Sequence, residues 1–339
     1  MPQRSDAVLP FTTRANPDVP RARARHLAWV RAHGLLADEA QLRRYGSWRL
    51  TDLVGYAYPG ARGDDLDLAT DSVCLGFPLD DAFDGPLGRH PERAVPLIAE
   101  LCAIPRRAPG ARPRLDLPLT RAYADVWQRT AAGMSAAWRE RAARHLGRFF
   151  RSYLAEARNR SSGEALTEAA YVRLRRESVG TGPCFDLIER TGHFEVPPAA
   201  HASGELRTLT RCAGDVIFLG NDLHSLAREE SRGDPHNLVL IREHATGCTR
   251  AEATAYVTAE IRKRVRLFTT VSRRLPRLCA RLGLGPADRA AVEAYAAGLR
   301  AWMAANELWG TTSPRYGTPG VSPDAAAPAA APRAAARAT

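Results

Sequence analysis

Apolar residues along the chain recur with helical rather than strand spacing. Leu27, Val30 and Leu35 begin such a pattern, and further helical segments are expected near 39–56, 64–83, 91–104, 115–132 and 135–159. Others follow near 164–178, 183–194, 202–231, 250–282 and 286–309. Alternating β-branched runs bounded by turns hardly occur. Breakers separate the segments: Gly34, Pro59-Gly60, Gly85-Pro86, Pro197-Pro198, Gly233-Asp234-Pro235 and Gly285-Pro286. Asp38, Ser135, Thr249 and Asp288 stand where a cap or first-turn acid belongs. About ten helices with no break in composition predict one all-α domain. From about Val321 the chain is Ala, Pro and Arg with little else, a composition that cannot bury enough apolar surface to fold. The expected division is a flexible segment 1–15, a helical domain 16–317 and a disordered tail 318–339.

Composition changes this picture little. No apolar run is long enough to span a membrane, and the first residues lack the basic-then-apolar order of a signal peptide, so a cytoplasmic protein is expected. The six cysteines form no CxxC pair and no zinc spacing, and read as reduced, mostly buried residues. The formal net charge is +11. The arginines behind it are spread along the chain with no aromatics interleaved for base stacking, so nucleic-acid binding is not expected.

Two polar clusters carry the candidate chemistry. Asp80-Asp81-Ala82-Phe83-Asp84 closes an apolar stretch that runs from Leu66 through Phe77. Asp80 and Asp84 share one helix face, with Asp81 adjacent. Like charges at that spacing destabilise a bare helix, and a hard divalent cation relieves the repulsion. A solvated acidic helix end would have the same sequence. The second cluster is Asn221, Ser225 and Glu229, at i, i+4 and i+8 after the apolar run Val216-Ile217-Phe218-Leu219. It aligns an amide oxygen, a hydroxyl and a carboxylate over two turns, all hard oxygen donors. An exposed polar helix face is the plain alternative, although Asn and Ser are mildly unfavourable inside a helix.

Taken in order, these motifs resemble the bacterial class I terpene synthases over nearly the whole chain. Asp80–Asp84 and Asn221–Glu229 are similar to that family's two metal motifs. The segment 171–180 is similar to the one carrying its diphosphate-sensing arginine, and spacing to the second motif selects Arg175. Trp302, Asn306 and Trp309 lead to Arg315-Tyr316, similar to the family's C-terminal Arg-Tyr pair, and Asn16-Pro17 and Trp29 also match. The resemblance implies an α-helical bundle around a central apolar cavity, and three Mg²⁺ ions held by Asp80, Asp81, Asp84, Asn221, Ser225 and Glu229. It further implies a prenyl diphosphate gripped by Arg175, Arg228, Arg315 and Tyr316, with Arg175, Arg315 and Tyr316 acting in catalysis.

The implied reaction is that of a carbon–oxygen lyase acting on phosphates, ionising farnesyl diphosphate and cyclising the cation to a sesquiterpene hydrocarbon or alcohol. Geranylgeranyl diphosphate as substrate, or prenyl chain elongation, are the alternatives. Monomer and homodimer both stay open. Arg228 stands where the family often has Lys. Gly76 and Gly310 stand where one member of that family carries bulky side chains, which suggests an altered pocket wall. Phe77, Phe83, Phe185, Phe218, Trp302 and Trp309 are candidate cation-facing rings, with Phe77 and Trp309 favoured because each lies near a motif. A helix break at Val179-Gly180 would aim a free carbonyl or a helix dipole into the cavity. No general base stands out.

Overall fold

The computed structural model describes residues 9–36 and 38–316. The expected tail 318–339 and residues 1–8 of the expected flexible segment lie outside the described residues. Residues 9–15 of that segment do have structure to report. Leu9 and Phe11 pack on the main core, Phe11 meets Phe268 edge-to-face at 5.8 Å, and Thr13 donates to the Tyr56 carbonyl at 2.6 Å.

The described residues form seventeen α-helices and no strand. In chain order they are α1 (Val19–His33), α2 (Glu39–Ser47), α3 (Leu50–Ala57), α4 (Gly63–Cys74), α5 (Gly76–Asp84) and α6 (Pro86–Arg89). Then come α7 (Pro91–Ala103), α8 (Pro118–Ala131), α9 (Ala136–Ser162), α10 (Glu168–Ser178), α11 (Thr181–Gly192) and α12 (Pro198–His201). The last are α13 (Gly204–Arg232), α14 (Leu238–Thr246), α15 (Arg250–Ser272), α16 (Leu275–Arg281) and α17 (Pro286–Thr312). The expected caps form: the side chains of Asp38, Ser135 and Thr249 accept from the N–H of Gln41, Trp138 and Glu252. Asp288 lies in the first turn of α17.

Three expected helices are split. The 39–56 segment breaks at Trp48-Arg49, where Arg49 adopts φ 56°, a left-handed backbone that no period reveals. The 250–282 segment restarts as α16 with Pro276 in its first turn, where a missing N–H costs nothing. The 64–83 segment divides into α4 and α5, and this break aims the aspartates. Pro78 has no N–H to offer the carbonyl four residues back, that of Cys74. Tyr45 supplies the missing donor, its hydroxyl reaching Cys74 O at 3.0 Å. Tyr45 is held in turn by His26 Nε2 at 2.9 Å, and His26 Nδ1 by the fully buried Asp71 at 2.8 Å. Arg25 and Arg129 close the network on Asp71 at 2.7 and 2.9 Å.

The central element is α13. From Cys212 through Gly220 every residue is buried, so the helix is enclosed on all sides over these turns. It packs mainly on α15 and α17, and α17 on α3. Asn16 fastens the start of the chain to this frame, its amide donating to the carbonyls of Tyr58 and Ala61 at 3.1 and 2.7 Å. A second apolar cluster joins α4 and α5 to α7, α8 and α9. The cavity lies between these two cores.

Replacing Tyr45 with Phe leaves the Cys74 carbonyl and one His26 nitrogen without their partner. Urea denaturation is expected to show a loss of about 1–3 kcal/mol, the cost of orphaned buried polar groups.

Candidate active site

Asp80, Asp81 and Asp84 offer carboxylate oxygens that all lie within 4.8 Å of one another at the end of α5. Asp80 and Asp84 line the cavity, whereas Asp81 sits beside its mouth. The second cluster faces them. Asn221, Ser225 and Glu229 line the same cavity from α13, where that helix leaves its enclosed stretch. Arg228 Nη2 stands 3.0 Å from Asp84 Oδ2 and 3.6 Å from Asp81 Oδ1, so residues 144 apart in sequence meet across the opening. The two polar helix faces therefore look at one site.

Arginines neutralise the acids. Arg315 Nη2 lies 3.2 Å from Asp80 and 3.4 Å from Asp81, while its guanidinium stacks 4.3 Å from the Trp48 ring centre and 4.9 Å from that of Phe77. Its Nη1 is buried at the cavity and has no partner among the described residues, a donor available to an anion. Arg175 donates to Asn221 Oδ1 at 2.6 Å and is steadied by Asp222 at 3.5 Å. Asn221 Nδ2 donates to the Tyr316 hydroxyl at 2.8 Å. Arg175, Asn221 of the second cluster and Tyr316 thus form one connected network.

Burial shapes the titration of this site. Desolvation, with Asp80 adding repulsion, raises the Asp84 carboxyl to about 6 despite Arg228 and Arg232 beside it. Desolvation and the neighbouring Asp222 charge raise Glu229 to about 8. Such crowding of hard oxygen donors is unfavourable by itself and fits a divalent cation, which replaces proton and arginine as the neutralising charge.

The aromatic candidates separate. Phe77 and Trp309 line the cavity and meet edge-to-face at 5.8 Å, and Trp302 lines it too. Phe83, Phe185 and Phe218 do not line it. Phe83 packs on Tyr153 at 4.8 Å, Phe185 on Trp302 and Phe218 on Tyr171, so these three are core residues. Tyr123, Trp127, Phe149 and Tyr153 supply the rest of the aromatic wall, which short-range spacing in the sequence did not reveal. Val179 and Gly180 break the chain between α10 and α11 and line the cavity as expected. Gly180 has φ 72°, and a Cβ there would come within 3.0 Å of the Phe149 ring.

The two pocket glycines differ. Gly76 lines the cavity, and a Cβ there would meet nothing within 4 Å, so this wall is open. Gly310 does not line it. A Cβ at 310 would lie 2.2 Å from His224, which means that this glycine lets α17 approach α13 rather than shaping the pocket.

Several site residues escaped the sequence reading. Arg232 also pairs with Asp84, and its i+4 spacing from Arg228 was the available signal. Arg160 lines the cavity and pairs with Asp234 at 3.4 Å and Glu156 at 3.6 Å. Asn237 caps α14 and donates to Glu229 at 2.7 Å. Buried Asp222, within the second motif, accepts from the Tyr171 hydroxyl at 2.8 Å and from Leu238 N at 2.9 Å. It fastens α10, α13 and α14 together.

An all-α bundle with facing acidic and polar clusters over an apolar, aromatic-walled cavity defines a class I terpenoid cyclase. Residues 71–266 match the model of the family described as "Terpene synthase family 2, C-terminal metal binding". The chain is 37% identical over 320 residues to pentalenene synthase of Streptomyces avermitilis, covering 93% of this chain and 94% of that one. It is 36% identical over 325 residues to a (2E,6E)-farnesyl diphosphate-cyclizing (−)-β-caryophyllene synthase of Saccharothrix espanaensis, covering 95% and 91%. The crystal structure of germacradien-4-ol synthase from Streptomyces citricolor superimposes with a TM-score of 0.80 at 36% identity, covering 89% of this chain and 97% of that one. The chain belongs to the terpene synthase family and carries its metal-binding region. No helix among the described residues is long and apolar enough to cross a membrane.

A carboxyl raised on folding favours the folded state at low pH, and that contribution fades as pH climbs through the folded-state value. With Glu229 raised from 4.5 to about 8, the melting temperature of the metal-free protein is expected to fall as pH rises from about 5 to 8 and to level off above that. Divalent metal with inorganic diphosphate should flatten that slope, as followed by differential scanning fluorimetry.

Proposed function

We propose that this protein is a magnesium-dependent sesquiterpene synthase, a carbon–oxygen lyase that ionises farnesyl diphosphate and cyclises the resulting cation. The meeting of the two oxygen-donor clusters across one apolar cavity, bridged by Arg228 and Asp84 at 3.0 Å, carries this reading. Relatives named for cyclising farnesyl diphosphate, at about one-third identity over most of the chain, support the fifteen-carbon substrate.

In this reading Asp80, Asp81 and Asp84 hold magnesium from one side, and Asn221, Ser225 and Glu229 from the other, three ions in all. Bound Mg²⁺ supplies Lewis-acid neutralisation of the diphosphate oxygens. Arg175, Arg228 and Arg315 donate charge-assisted hydrogen bonds to the leaving group, Arg315 through its unpartnered Nη1, and Tyr316 adds a hydroxyl. Arg315 and Arg228 exchange their aspartate partners for phosphate as substrate enters. Arginine at 228 keeps the positive charge that lysine would supply, in a forked form. The C–O bond breaks with its electron pair leaving on the diphosphate. Phe77, Trp302 and Trp309 then face the allylic cation with ring quadrupoles worth about 0.5–2 kcal/mol each and exclude bulk water. The open wall at Gly76 admits a folding of the isoprenoid that a bulky side chain there would block.

Gas chromatography of products from geranyl, farnesyl and geranylgeranyl diphosphates, with and without Mg²⁺, tests the reading. Farnesyl diphosphate is expected to be turned over best, only with metal, to cyclic fifteen-carbon products. Preferred use of the twenty-carbon diphosphate, or longer diphosphates on adding isopentenyl diphosphate, would reverse it. Asp80→Ala, Asn221→Ala and Arg175→Ala are each expected to lower kcat/KM by at least about 10²-fold, the scale of losing a transition-state charge contact, with helical circular dichroism unchanged.

A further inference from the structure

The cavity wall contains polar groups that the ionisation chemistry does not use. On α8, Tyr123, Trp127 and Thr130 lie at i, i+4 and i+7 and form one stripe facing the cavity. The hydroxyls of Tyr123 and Thr130 are both buried and have no hydrogen-bond partner among the described residues. Thr130 is 7% exposed and Tyr123 6%, so bulk solvent does not satisfy them. A helical threonine ordinarily returns its hydroxyl to a carbonyl one turn back, and Thr130 does not. A buried hydroxyl aimed into a chamber has water or substrate as its partner.

Asp186 on α11 is the second observation. Of the carboxylates that line the cavity, Asp80, Asp84 and Glu229 belong to the metal clusters, and Glu156 and Asp234 pair with Arg160. Asp186 belongs to neither set, and it is 4% exposed. His145 Nδ1 holds its Oδ2 at 2.8 Å, and Arg141 Nε stands 3.6 Å from its Oδ1. Gly182, one turn before it, lets His145 lie close, since a Cβ at 182 would come within 3.2 Å of that side chain. Asp186 is thus a carboxylate fixed by His145 and Arg141 at the cavity wall. Asp186 and Thr130 line the same cavity, and Arg190, one turn beyond Asp186 on α11, ties that helix to the end of α8 by donating to the Arg129 carbonyl at 3.4 Å.

Resting on the terpene cyclase reading, we propose that Thr130 and Asp186 hold a water inside the cavity and that this water ends the reaction, so that the product is a terpene alcohol. Thr130 Oγ1 accepts one hydrogen of the water and Asp186 the other, which leaves an oxygen lone pair to face the cation. The oxygen adds to the cationic carbon and forms the C–O bond. The displaced proton passes to the Asp186 carboxylate, giving a neutral alcohol and a neutral acid with no oxidant or reductant required. Thr130 and Asp186 are positioning and proton-accepting groups respectively, and Tyr123, about 10 Å away along α8 by helical rise, is not part of the pair.

The test is product analysis by gas chromatography and mass spectrometry with farnesyl diphosphate and Mg²⁺ in H₂¹⁸O. The wild type is expected to give mainly an alcohol carrying ¹⁸O. Thr130→Val should lower the alcohol-to-hydrocarbon ratio about tenfold, the worth of one buried hydrogen bond, and Thr130→Ser should restore it. Asp186→Asn should lower the same ratio. Because a ratio is read, a smaller amount of folded variant does not disturb the outcome. Hydrocarbon as the only wild-type product overturns the proposal, as does a ratio unmoved by Thr130→Val, or one that falls with Tyr123→Phe instead. No turnover of any prenyl diphosphate by the wild type would instead remove the cyclase reading itself.

Discussion

Negative charge is concentrated at the end of α5, and the rest of the site is organised around compensating it. Three carboxylates within 4.8 Å repel one another, and burial makes ionisation of Asp84 harder still. Three arginines answer them: Arg315 from the segment after α17, and Arg228 and Arg232 from α13. These contacts draw the ends of α5, α13 and the segment after α17 around one opening. The same arrangement can pass its positive charge to an incoming diphosphate and its negative charge to metal. A site charged in this way binds an anion and cations together more readily than either alone, because each relieves what the other leaves unpaired.

Rigid elements beneath the opening keep this geometry. The enclosed stretch of α13 fixes where Asn221, Ser225 and Glu229 emerge. Asp222 locks that emergence by joining Tyr171 and the start of α14. On the opposite side Pro78 breaks the α4–α5 run, and the Tyr45–His26–Asp71 network absorbs the carbonyl this leaves free. The side chains of both oxygen-donor clusters thus project from supported helices rather than from loops, the setting in which distances of about 3 Å are best held.

Beyond the charged mouth, the chamber is apolar and aromatic, and its few polar groups stand out for that reason. An apolar wall gives a reactive cation nothing to combine with. The unpartnered hydroxyls of Tyr123 and Thr130 on α8 and the carboxylate of Asp186 on α11 are departures from that rule. Gly76 acts differently, by removing volume from the wall.

Much of this was legible in the sequence because it is local. Helical period, caps at Asp38, Ser135 and Thr249, and both oxygen-donor clusters depend on spacings of three to eight residues, which the backbone geometry of a helix converts directly into a shared face. The favoured rings Phe77 and Trp309 were legible for the same reason, as neighbours of motifs. What depended on contact between distant segments was not. The core placement of Phe83, Phe185 and Phe218 and the role of Gly310 as a helix contact follow from packing partners roughly 50 to 120 residues away, which no local pattern encodes. The orphaned hydroxyl of Thr130 and the carboxylate of Asp186 are the clearest cases. Along the chain they are an ordinary threonine and an ordinary aspartate, and only the folded bundle, by burying both at one cavity, gives them a chemical task.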